Sequence, residues 1–477
     1  MTLAPPPSAP DVARDLAALR VRLASCDEAA TLRPLGLGGL LLGAGVLDRI
    51  AEVVADVRRG GGDVALIADA RPMDSTRGEV KTRVTAALAA AGLPVRRVRV
   101  GDDDADVHAD TLTLRRAVKA CAGAGVVLSV GSGTVADIGK AVSAQLGRVP
   151  HVVVQTAASV NGFADDQSVL LVNGVKHTTP TRWPERLVID SDVITRAPVE
   201  LNRAGFGDLL ATYTAPADWR LAQLVGQDDS YSPFAVGLAR AHVDAVLEHA
   251  DGIHRAEPEA IEHLGAALTL SGIAMGVAGR TAPGSGMEHT VSHLLEMAER
   301  PGVPAPLHGA KVGALSVLAA MLWARVRTVA RCGGLRMLRF PSERELEPQV
   351  RQAFAELDPS GRVGDACWAD YRLKLGRWHD ARGELETLWE RWPAFDAELE
   401  RLLVSPERLV EALRAARAPV RLTQLGVRDS TARWALAHGH LMRDRFSVAD
   451  LAFFMGIWDS AGVDALLVAA ARLGAGL

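Results

Sequence analysis

Short apolar runs alternate with helical segments along the first 200 residues, and this alternation restricts the fold strongly. The runs are "DVALIAD" (63–69), "VRRVRV" (95–100), "GVVLSV" (125–130) and "HVVVQT" (151–156), and helical stretches such as "EVKTRVTAALAAAG" (79–92) lie between them. Apolar runs separated by helices are typical of buried parallel strands joined by crossover helices. The sequence therefore predicts an α/β domain with a doubly wound parallel sheet.

The pattern changes near residue 201. Long stretches with helical spacing follow, such as "FAVGLARAHVDAVLEHA" and "SPERLVEALRAARA", and strand signals nearly vanish. A chain of 477 residues is also longer than one core usually serves. We predict a disordered leader at 1–20, an α/β domain at 21–200 and an all-α domain at 201–477.

Composition excludes several classes of partner. The net charge is −4, from 53 basic and 57 acidic residues, and no basic block occurs, so nucleic acid is not expected. The N-terminus does not resemble a secretory signal, and apolar runs such as that from Val312 are too short to span a bilayer. The four cysteines are scattered without metal-binding spacing. We expect a cytoplasmic protein without membrane insertion.

A glycine-rich turn follows one predicted strand. In "VVLSVGSGTVADIGKAV", Gly131, Ser132 and Gly133 precede a helix that begins near Thr134. Glycines allow close approach of a pyrophosphate, and the helix N-terminus offers N–H groups to it. Many strand-to-helix turns use glycine, so the spacing alone leaves a purely structural role open.

Asp69 ends the "DVALIAD" strand, whereas no acid follows the glycine turn at the usual distance of about 20 residues. An acid at a strand end can hold ribose hydroxyls, and it repels a 2′-phosphate. We therefore expect NAD as the cofactor, with NADP as the alternative.

Three histidines lie close together in the sequence. His289 and His293 are four residues apart on one predicted helix face, and His308 follows a proline-rich loop that can fold back. The order is not H-E-x-x-H, so a metalloprotease is not indicated. Asp208, in the apolar stretch "LNRAGFGDLLATYT", could complete a divalent-metal site with two imidazoles. A structural role for these side chains remains an alternative.

Several motifs in matching order carry a family resemblance. The segments "GSGTVADIGK", "TAASVNGF", "GFGDLLATYTAPADW", "EHTVSH", "LHG" and "RDRFSVADLAFFMGIWD" resemble the sn-glycerol-1-phosphate dehydrogenase family. That family belongs with the iron-containing alcohol dehydrogenases, glycerol dehydrogenases and dehydroquinate synthases. The resemblance runs from about Gly39 to near Trp458. It implies an NAD(P)-linked, metal-dependent dehydrogenase of a small polyol or polyol phosphate, and a homodimer.

The resemblance also assigns residues. It implies that Asp208, His289 and His308 hold the metal, zinc in preference to nickel or iron, and that His293 and Asn161 stand beside the substrate. The residues that it places at the cofactor are Gly131, Ser132, Gly133, Thr134, Asp137, Lys140, Thr156, Ser159 and Asp165, besides Asp69. The domain at 21–200 is then the dinucleotide-binding domain, and the domain at 201–477 carries the metal and substrate.

One loop departs from the family pattern. The family motif reads T-A-A-S-x-D-G-F, whereas this chain has Asn161 in place of the aspartate, and Asp165 and Asp166 follow. An amide carries no charge, and two added acids disfavour phosphate unless they face solvent or a cation. We therefore expect the substrate to differ from dihydroxyacetone phosphate, with drift of the loop without consequence as the alternative.

Two other functional classes remain alternatives. A dehydroquinate-synthase-like cyclase would use and regenerate NAD, but the synthases place a glutamate where Asp208 stands. A non-catalytic relative would keep the fold for binding only. The retained metal-ligand types favour an enzyme.

Overall fold

The computed structural model describes residues 9–101, 107–172, 175–240, 242–299 and 305–477. The strands within these ranges are Leu40–Gly43 (β1), Val64–Ala68 (β2), Asp74–Ser75 (β3), Gly78–Glu79 (β4), Val95–Arg99 (β5), Val126–Gly131 (β6), His151–Gln155 (β7), Gln167–Val172 (β8), Val175–Pro180 (β9) and Arg186–Asp190 (β10). The four predicted strands correspond to β2, β5, β6 and β7. The edge strand β1 and strand β10 were not predicted, because short runs beside glycine or charged residues resemble loops.

The α-helices of the first half are Ala9–Arg14 (α1), Leu16–Ser25 (α2), Ile50–Val57 (α3), Val80–Ala90 (α4), Thr111–Cys121 (α5), Gly133–Gln145 (α6), Ser191–Ile194 (α7), Val199–Leu209 (α8), Ala215–Leu224 (α9), Pro233–Arg240 (α10), Val243–Glu248 (α11) and Ala250–His254 (α12). Those of the second half are Pro258–Ala278 (α13), Met287–Met297 (α14), His308–Arg331 (α15), Glu343–Ala353 (α16), Arg362–Asp380 (α17), Arg382–Leu385 (α18), Leu388–Leu402 (α19), Pro406–Ala415 (α20), Asp429–His438 (α21), Val448–Phe454 (α22) and Ser460–Arg472 (α23).

Six strands form one parallel sheet in the order β1-β10-β7-β6-β2-β5. Its central strands are buried on both faces, which explains their continuous valine and leucine runs. One face packs against α3 and α4, and the other against α5 and α6. Together with the mostly helical C-terminal region, this architecture confirms the predicted fold class.

The chain divides into two compact units. The first comprises Met1–Leu209 and Phe234–Thr281, and the second comprises Leu210–Pro233 and Ala282–Leu477. The sequence placed the break at 200 and assigned everything after it to one helical domain. The difference lies in α8, which extends the first unit to Leu209, and in Phe234–Thr281, which contains α11–α13 and all of α10 except Pro233 and also belongs to the first unit. Helical periodicity predicts a helix but not the unit against which it packs.

The predicted disordered leader differs from the structure beyond its first residues. Positions 1–8 lie outside the described residues, but α1 and α2 are helical, and Leu16, Leu19 and Leu23 are buried. Arg14 Nε donates to the Leu42 carbonyl at 2.9 Å, and its Nη2 contacts Glu262 at 2.5 Å. The prolines of the first ten residues suggested disorder, and the prediction wrongly extended it into the helical segment that follows.

Two helices are longer and more apolar than the sequence analysis predicted when it judged the apolar runs too short to span a bilayer. Both α13 and α15 reach a mean hydropathy of 1.4 over 18 residues, which is enough to cross a membrane by length and composition. However, 89% of that window in α13 and 67% in α15 is buried inside the protein. Core helices of soluble proteins have these properties, so they do not argue for membrane insertion.

Candidate active site

The three histidines form a cluster within the second unit. His289 and His293 lie on α14, and His308 is the first residue of α15. The His308 ring centroid lies 5.2 Å from that of each of the other two rings, and it stacks on His293 with an interplanar angle of 22°. The first residue of α15 therefore lies beside α14.

Two carboxylates hold two of these rings. Glu288 Oε1 lies 3.1 Å from His289 Nδ1, and Glu296 Oε1 lies 2.7 Å from His308 Nδ1. A ring that donates its Nδ1–H to a carboxylate carries its lone pair on Nε2, which is the atom that binds a metal. This arrangement fits a metal site. The sequence analysis missed both glutamates, although Glu288 adjoins His289 and Glu296 lies one turn after His293.

Buried hydrogen bonds fix Glu288. Thr214 Oγ1 donates to its Oε2 at 2.9 Å, and the Gly286 N–H donates to its Oε1 at 2.6 Å. Burial raises the pKa of Glu288, but the hydrogen bond and charge of His289 outweigh this and leave the pKa below its usual range. An ionised Glu288 therefore supports the His289 ring.

Asp218 anchors the start of α14 from the motif "TAPADW". It accepts hydrogen bonds from Met287 N at 2.8 Å, Val448 N at 3.0 Å and Trp323 Nε1 at 3.0 Å. Burial, and secondly the charge of Glu288, raise the pKa of Asp218 well above its usual range. Asp218 thus fixes the helix that carries His289 and His293 through its backbone.

Glu296 also contacts a buried lysine. Lys311 Nζ lies 3.2 Å from Glu296 Oε1 and 2.8 Å from Glu299 Oε1. The side chains of His293, Glu296 and His308 offer metal-ligand atoms that lie within 4.8 Å of one another, so they are an alternative to the predicted ligand set. Glu296 and His308 Nδ1 already bond each other, however, so we regard Glu296 as the support for His308 rather than as a ligand.

Asp208 belongs to the first unit, near the end of α8. It is buried, and its Oδ2 accepts the Asn161 N–H at 2.9 Å. The Asn161 side chain is buried as well, and its Nδ2 donates to Ser271 Oγ at 3.2 Å. The structure thus brings Asp208 and Asn161, two predicted site residues, into direct contact.

Both acids of the divergent loop face cations. Lys140 Nζ, on α6, lies 2.7 Å from Asp165 Oδ1 and 3.1 Å from Asp137 Oδ1. Arg33 Nη1 lies 3.3 Å from Asp166 Oδ2. The expectation that these acids repel a phosphate depended on there being no such cation, so the structure removes that reason for a changed substrate.

Lys140 is fully buried and bound to several acceptors. It also donates to the Gly162 carbonyl at 2.5 Å and to the Gln167 carbonyl. Burial lowers the pKa of Lys140, but the charges of Asp165 and Asp137 outweigh it and leave the pKa raised. Burial raises the pKa of Asp165 to about 6, and the charge and hydrogen bond of Lys140 only partly oppose this increase. These contacts give Lys140, Asp137 and Asp165 a role in fixing the loop, besides the predicted one at the cofactor.

The other predicted cofactor residues line one edge of the sheet. β7, β6 and β2 are neighbours, and their carboxyl ends lead into Thr156, the Gly131–Gly133 turn and Asp69. Thr156 N donates to the Gly131 carbonyl at 3.0 Å. The remaining members of this group are Ser132, Thr134 and Ser159, of which Ser132 precedes α6 without capping it through its side chain.

The two glycines of the turn are required by close packing. A Cβ on Gly131 would lie 2.6 Å from Val135 Cβ, and one on Gly133 would lie 2.6 Å from Val160 Cγ2. Neither position therefore admits a side chain without movement. The resulting bare backbone before α6 suits a pyrophosphate, which binds to N–H groups at a helix start.

Comparisons with known proteins point in one direction. The profile of the iron-containing alcohol dehydrogenases matches residues 41–198. Glycerol-1-phosphate dehydrogenase (NAD(P)+) of Aeropyrum pernix is 33% identical over 299 residues, which cover 62% of this chain and 81% of that protein. The chain belongs to the glycerol-1-phosphate dehydrogenase family. The enzyme of the same name from Halalkalibacterium halodurans is 38% identical over 175 residues, which are 36% of this chain but only 44% of that relative's length.

Solved structures of the wider group share the fold. A probable glycerol dehydrogenase from Sinorhizobium meliloti 1021 aligns over 93% of this chain and 99% of its own, with a TM-score of 0.58 and 19% identity. Glycerol dehydrogenase from Schizosaccharomyces pombe aligns over 91% and 90%, with a TM-score of 0.58 and 16% identity. At these identities the likeness establishes the fold of this glycerol-1-phosphate dehydrogenase family member.

Proposed function

We propose that the protein is a metal-dependent, NAD(P)-linked dehydrogenase that interconverts a secondary alcohol and a ketone on a small polyol phosphate. The observation that carries this proposal is the histidine cluster, in which Glu288 and Glu296 bond the Nδ1 atoms of His289 and His308. Such carboxylate–histidine pairs orient imidazoles toward a metal. The family relationship supplies the reaction class.

Asp208, His289 and His308 hold the metal in this proposal. Two imidazoles and one carboxylate suit zinc, nickel and iron, among which we favour zinc. A divalent ion at these residues, when bound, supplies Lewis-acid stabilisation of charge on the substrate oxygen. Glu288 and Glu296 keep both rings in the tautomer that presents Nε2.

The other residues bind and orient the substrate and the dinucleotide. His293, stacked on His308, faces the substrate, and Asn161 lies beside it through the contact with Asp208. The Gly131–Gly133 turn holds the pyrophosphate, and Asp69 holds the adenosine ribose. The nicotinamide carries the hydride, so the protein mainly positions it.

With that reason for a changed substrate removed, a phosphorylated triose is the substrate class that we favour. Asp165 and Asp166 are each matched by a cation, Lys140 and Arg33, so the loop adds little net negative charge. Dihydroxyacetone phosphate and its reduced partner are the first compounds to test. We further propose a homodimer, for which the family resemblance is the support, and a cytoplasmic location, for which the four scattered cysteines are the support.

The decisive experiment compares metal content and NADH oxidation in three proteins. Wild type should carry one divalent metal per chain and oxidise NADH with dihydroxyacetone phosphate. His308→Ala should lose metal affinity by more than the 10–100-fold typical of an outer partner and lose turnover. His249→Ala, at an exposed histidine, is the matched control and should behave as wild type.

Two outcomes contradict the proposal. Full metal content with normal turnover in His308→Ala would remove His308 from the ligand set. Product formation without net NADH consumption would indicate a cyclase of the dehydroquinate synthase type instead.

A further inference from the structure

A lysine stands beside the acid that ends β2. Lys81, on α4, donates from Nζ to the Asp69 carbonyl at 3.2 Å and to the Arg71 carbonyl. The same Nζ lies 3.9 Å from Asp69 Oδ1. Only 17% of the Lys81 side chain and 18% of the Asp69 side chain are exposed. Lys81 therefore fixes the turn after β2 and places a cation next to the carboxylate.

The Asp69 carboxylate is incompletely satisfied. Its Oδ1 is buried and has no hydrogen-bond partner among the described residues. Burial raises the pKa of Asp69, and the charges of Lys81 and Arg71 oppose this increase. A buried acceptor without a donor is costly, so an oxygen in this position suits a hydroxyl donor such as a ribose diol.

An acid alone at this position would exclude NADP. A 2′-phosphate carries close to two negative charges and would approach the Asp69 carboxylate at hydrogen-bond distance. A lysine changes this balance because its ammonium is a compact charge with three donors on a flexible stem. This flexible stem lets Lys81 exchange its backbone-carbonyl contacts for contacts with a phosphate.

Two nearby arginines, Arg77 and Arg83, pair with another acid. Arg83 Nη2 lies 2.8 Å from Asp48 Oδ1, and Arg77 also pairs with Asp48. Both hold the short β3–β4 hairpin to the turn after β1. Arg83 lies two residues after Lys81 on the same helix, so it provides a cation of similar position but different contacts.

We propose that Lys81 is the specificity-determining residue that lets the site accept NADP as well as NAD: Asp69 receives the ribose hydroxyls of NAD, and Lys81 receives the 2′-phosphate of NADP. This inference rests on the proposed function, because it requires a dinucleotide at the carboxyl edge of the sheet. Asp69 alone predicted a preference for NAD. With Lys81 beside it, we expect the site to bind both NAD and NADP.

The test measures binding rather than turnover. NADH and NADPH are titrated into the full-length chain and their dissociation constants are obtained from nicotinamide fluorescence. Lys81→Gln keeps a neutral donor for the two backbone carbonyls but removes the charge. It should weaken NADPH about tenfold or more, the value of one charge-assisted hydrogen bond, and leave NADH within about threefold. Lys81→Arg should restore NADPH binding.

Two further variants complete the comparison. Asp69→Asn should weaken NADH and leave NADPH unchanged or tighter, because a repulsive charge is removed. Arg83→Gln, the matched control, should leave the ratio of the two dissociation constants unchanged. Thermal melts of all variants establish that each is folded.

The outcomes separate this inference from the proposed function. Lys81→Gln could lower the affinities for NADH and NADPH equally, or Arg83→Gln could shift the ratio of the two dissociation constants as much as Lys81→Gln does. Either result would mean that Lys81 only supports the turn after β2. Wild type that binds NADH but not NADPH would overturn the inference and leave the dehydrogenase proposal intact. Wild type that binds neither would overturn both.

Discussion

The divergent loop of the first unit and the histidine cluster of the second unit both bury carboxylates, but they use them differently. At the loop, Lys140 already matches the charge of Asp165. At the cluster, Glu288 and Glu296 bond imidazoles, which are neutral when they act as ligands, although Glu296 also contacts Lys311. A carboxylate matched by a cation stabilises the chain, whereas a carboxylate on an imidazole prepares that ring to bind something else. The comparison therefore separates structural acids from those that serve chemistry.

The largest effect is expected from Lys140→Met. It leaves Asp165 and Asp137 buried without their cation, and breaking a buried ion pair by removing one partner costs about 3–5 kcal/mol. Urea denaturation should therefore show a loss of that size in the free energy of unfolding. Lys119→Met, on α5, serves as the control and should change stability little.

The same variant can break the comparison. If Lys140 served mainly to bind the cofactor, Lys140→Met would weaken dinucleotide binding while the free energy of unfolding changed by less than about 1 kcal/mol, the range of exposed pairs. That result would show that Lys140 mainly binds the dinucleotide and does not mainly stabilise the loop.

A smaller effect is expected from Glu296→Gln. The amide is isosteric, but it bonds His308 Nδ1 without charge, and losing such a partner typically costs 10–100-fold in metal affinity. Competition with a chelator measures this affinity directly, without reference to turnover. Glu299→Gln is the matched control, because Glu299 contacts Lys311 but no histidine in the described residues.

Equal metal retention in Glu296→Gln and wild type would contradict the assignment of Glu296 as the support for His308. Complete loss of metal, comparable to His308→Ala, would instead favour the alternative group of His293, Glu296 and His308, in which Glu296 is itself a ligand.

The sequence predicted the periodic features of this protein well. Strands β2, β5, β6 and β7 are continuous apolar runs, and such runs are local signals. The return of Phe234–Thr281 to the first unit could not be predicted, because the partner of a helix depends on the whole chain. Local patterns also suggested the histidine pair on α14 and the turn at Gly131.

Charge pairing was the harder part of the site. Asp165 and Asp166 read as added negative charge, because Lys140 is 25 positions and Arg33 133 positions away in the sequence. The same limitation applied to Asp69, which suggested NAD until Lys81 was found beside it. The net charge at a site depends on which residues the fold brings together. A prediction from charges that are close in the sequence can therefore give the site the wrong net charge.

The smallest effect is expected from Asn161→Asp, which restores the family's acid. Asn161 Nδ2 now donates to Ser271 Oγ, and an aspartate would accept from that hydroxyl instead, so the change preserves size and a partner. A carboxylate accepts more strongly than an amide from a substrate hydroxyl, and the difference between a charged and a neutral acceptor is on the order of 1 kcal/mol, a gain of up to about tenfold. We therefore expect kcat/KM for dihydroxyacetone phosphate to rise by no more than this factor.

Ser271→Ala serves as the control, since it removes the present partner without adding charge, and it should leave kcat/KM nearly unchanged. An unchanged value in Asn161→Asp would show that the loop difference is drift, whereas a decrease would show that the amide itself recognises the substrate and that the chain prefers a different one.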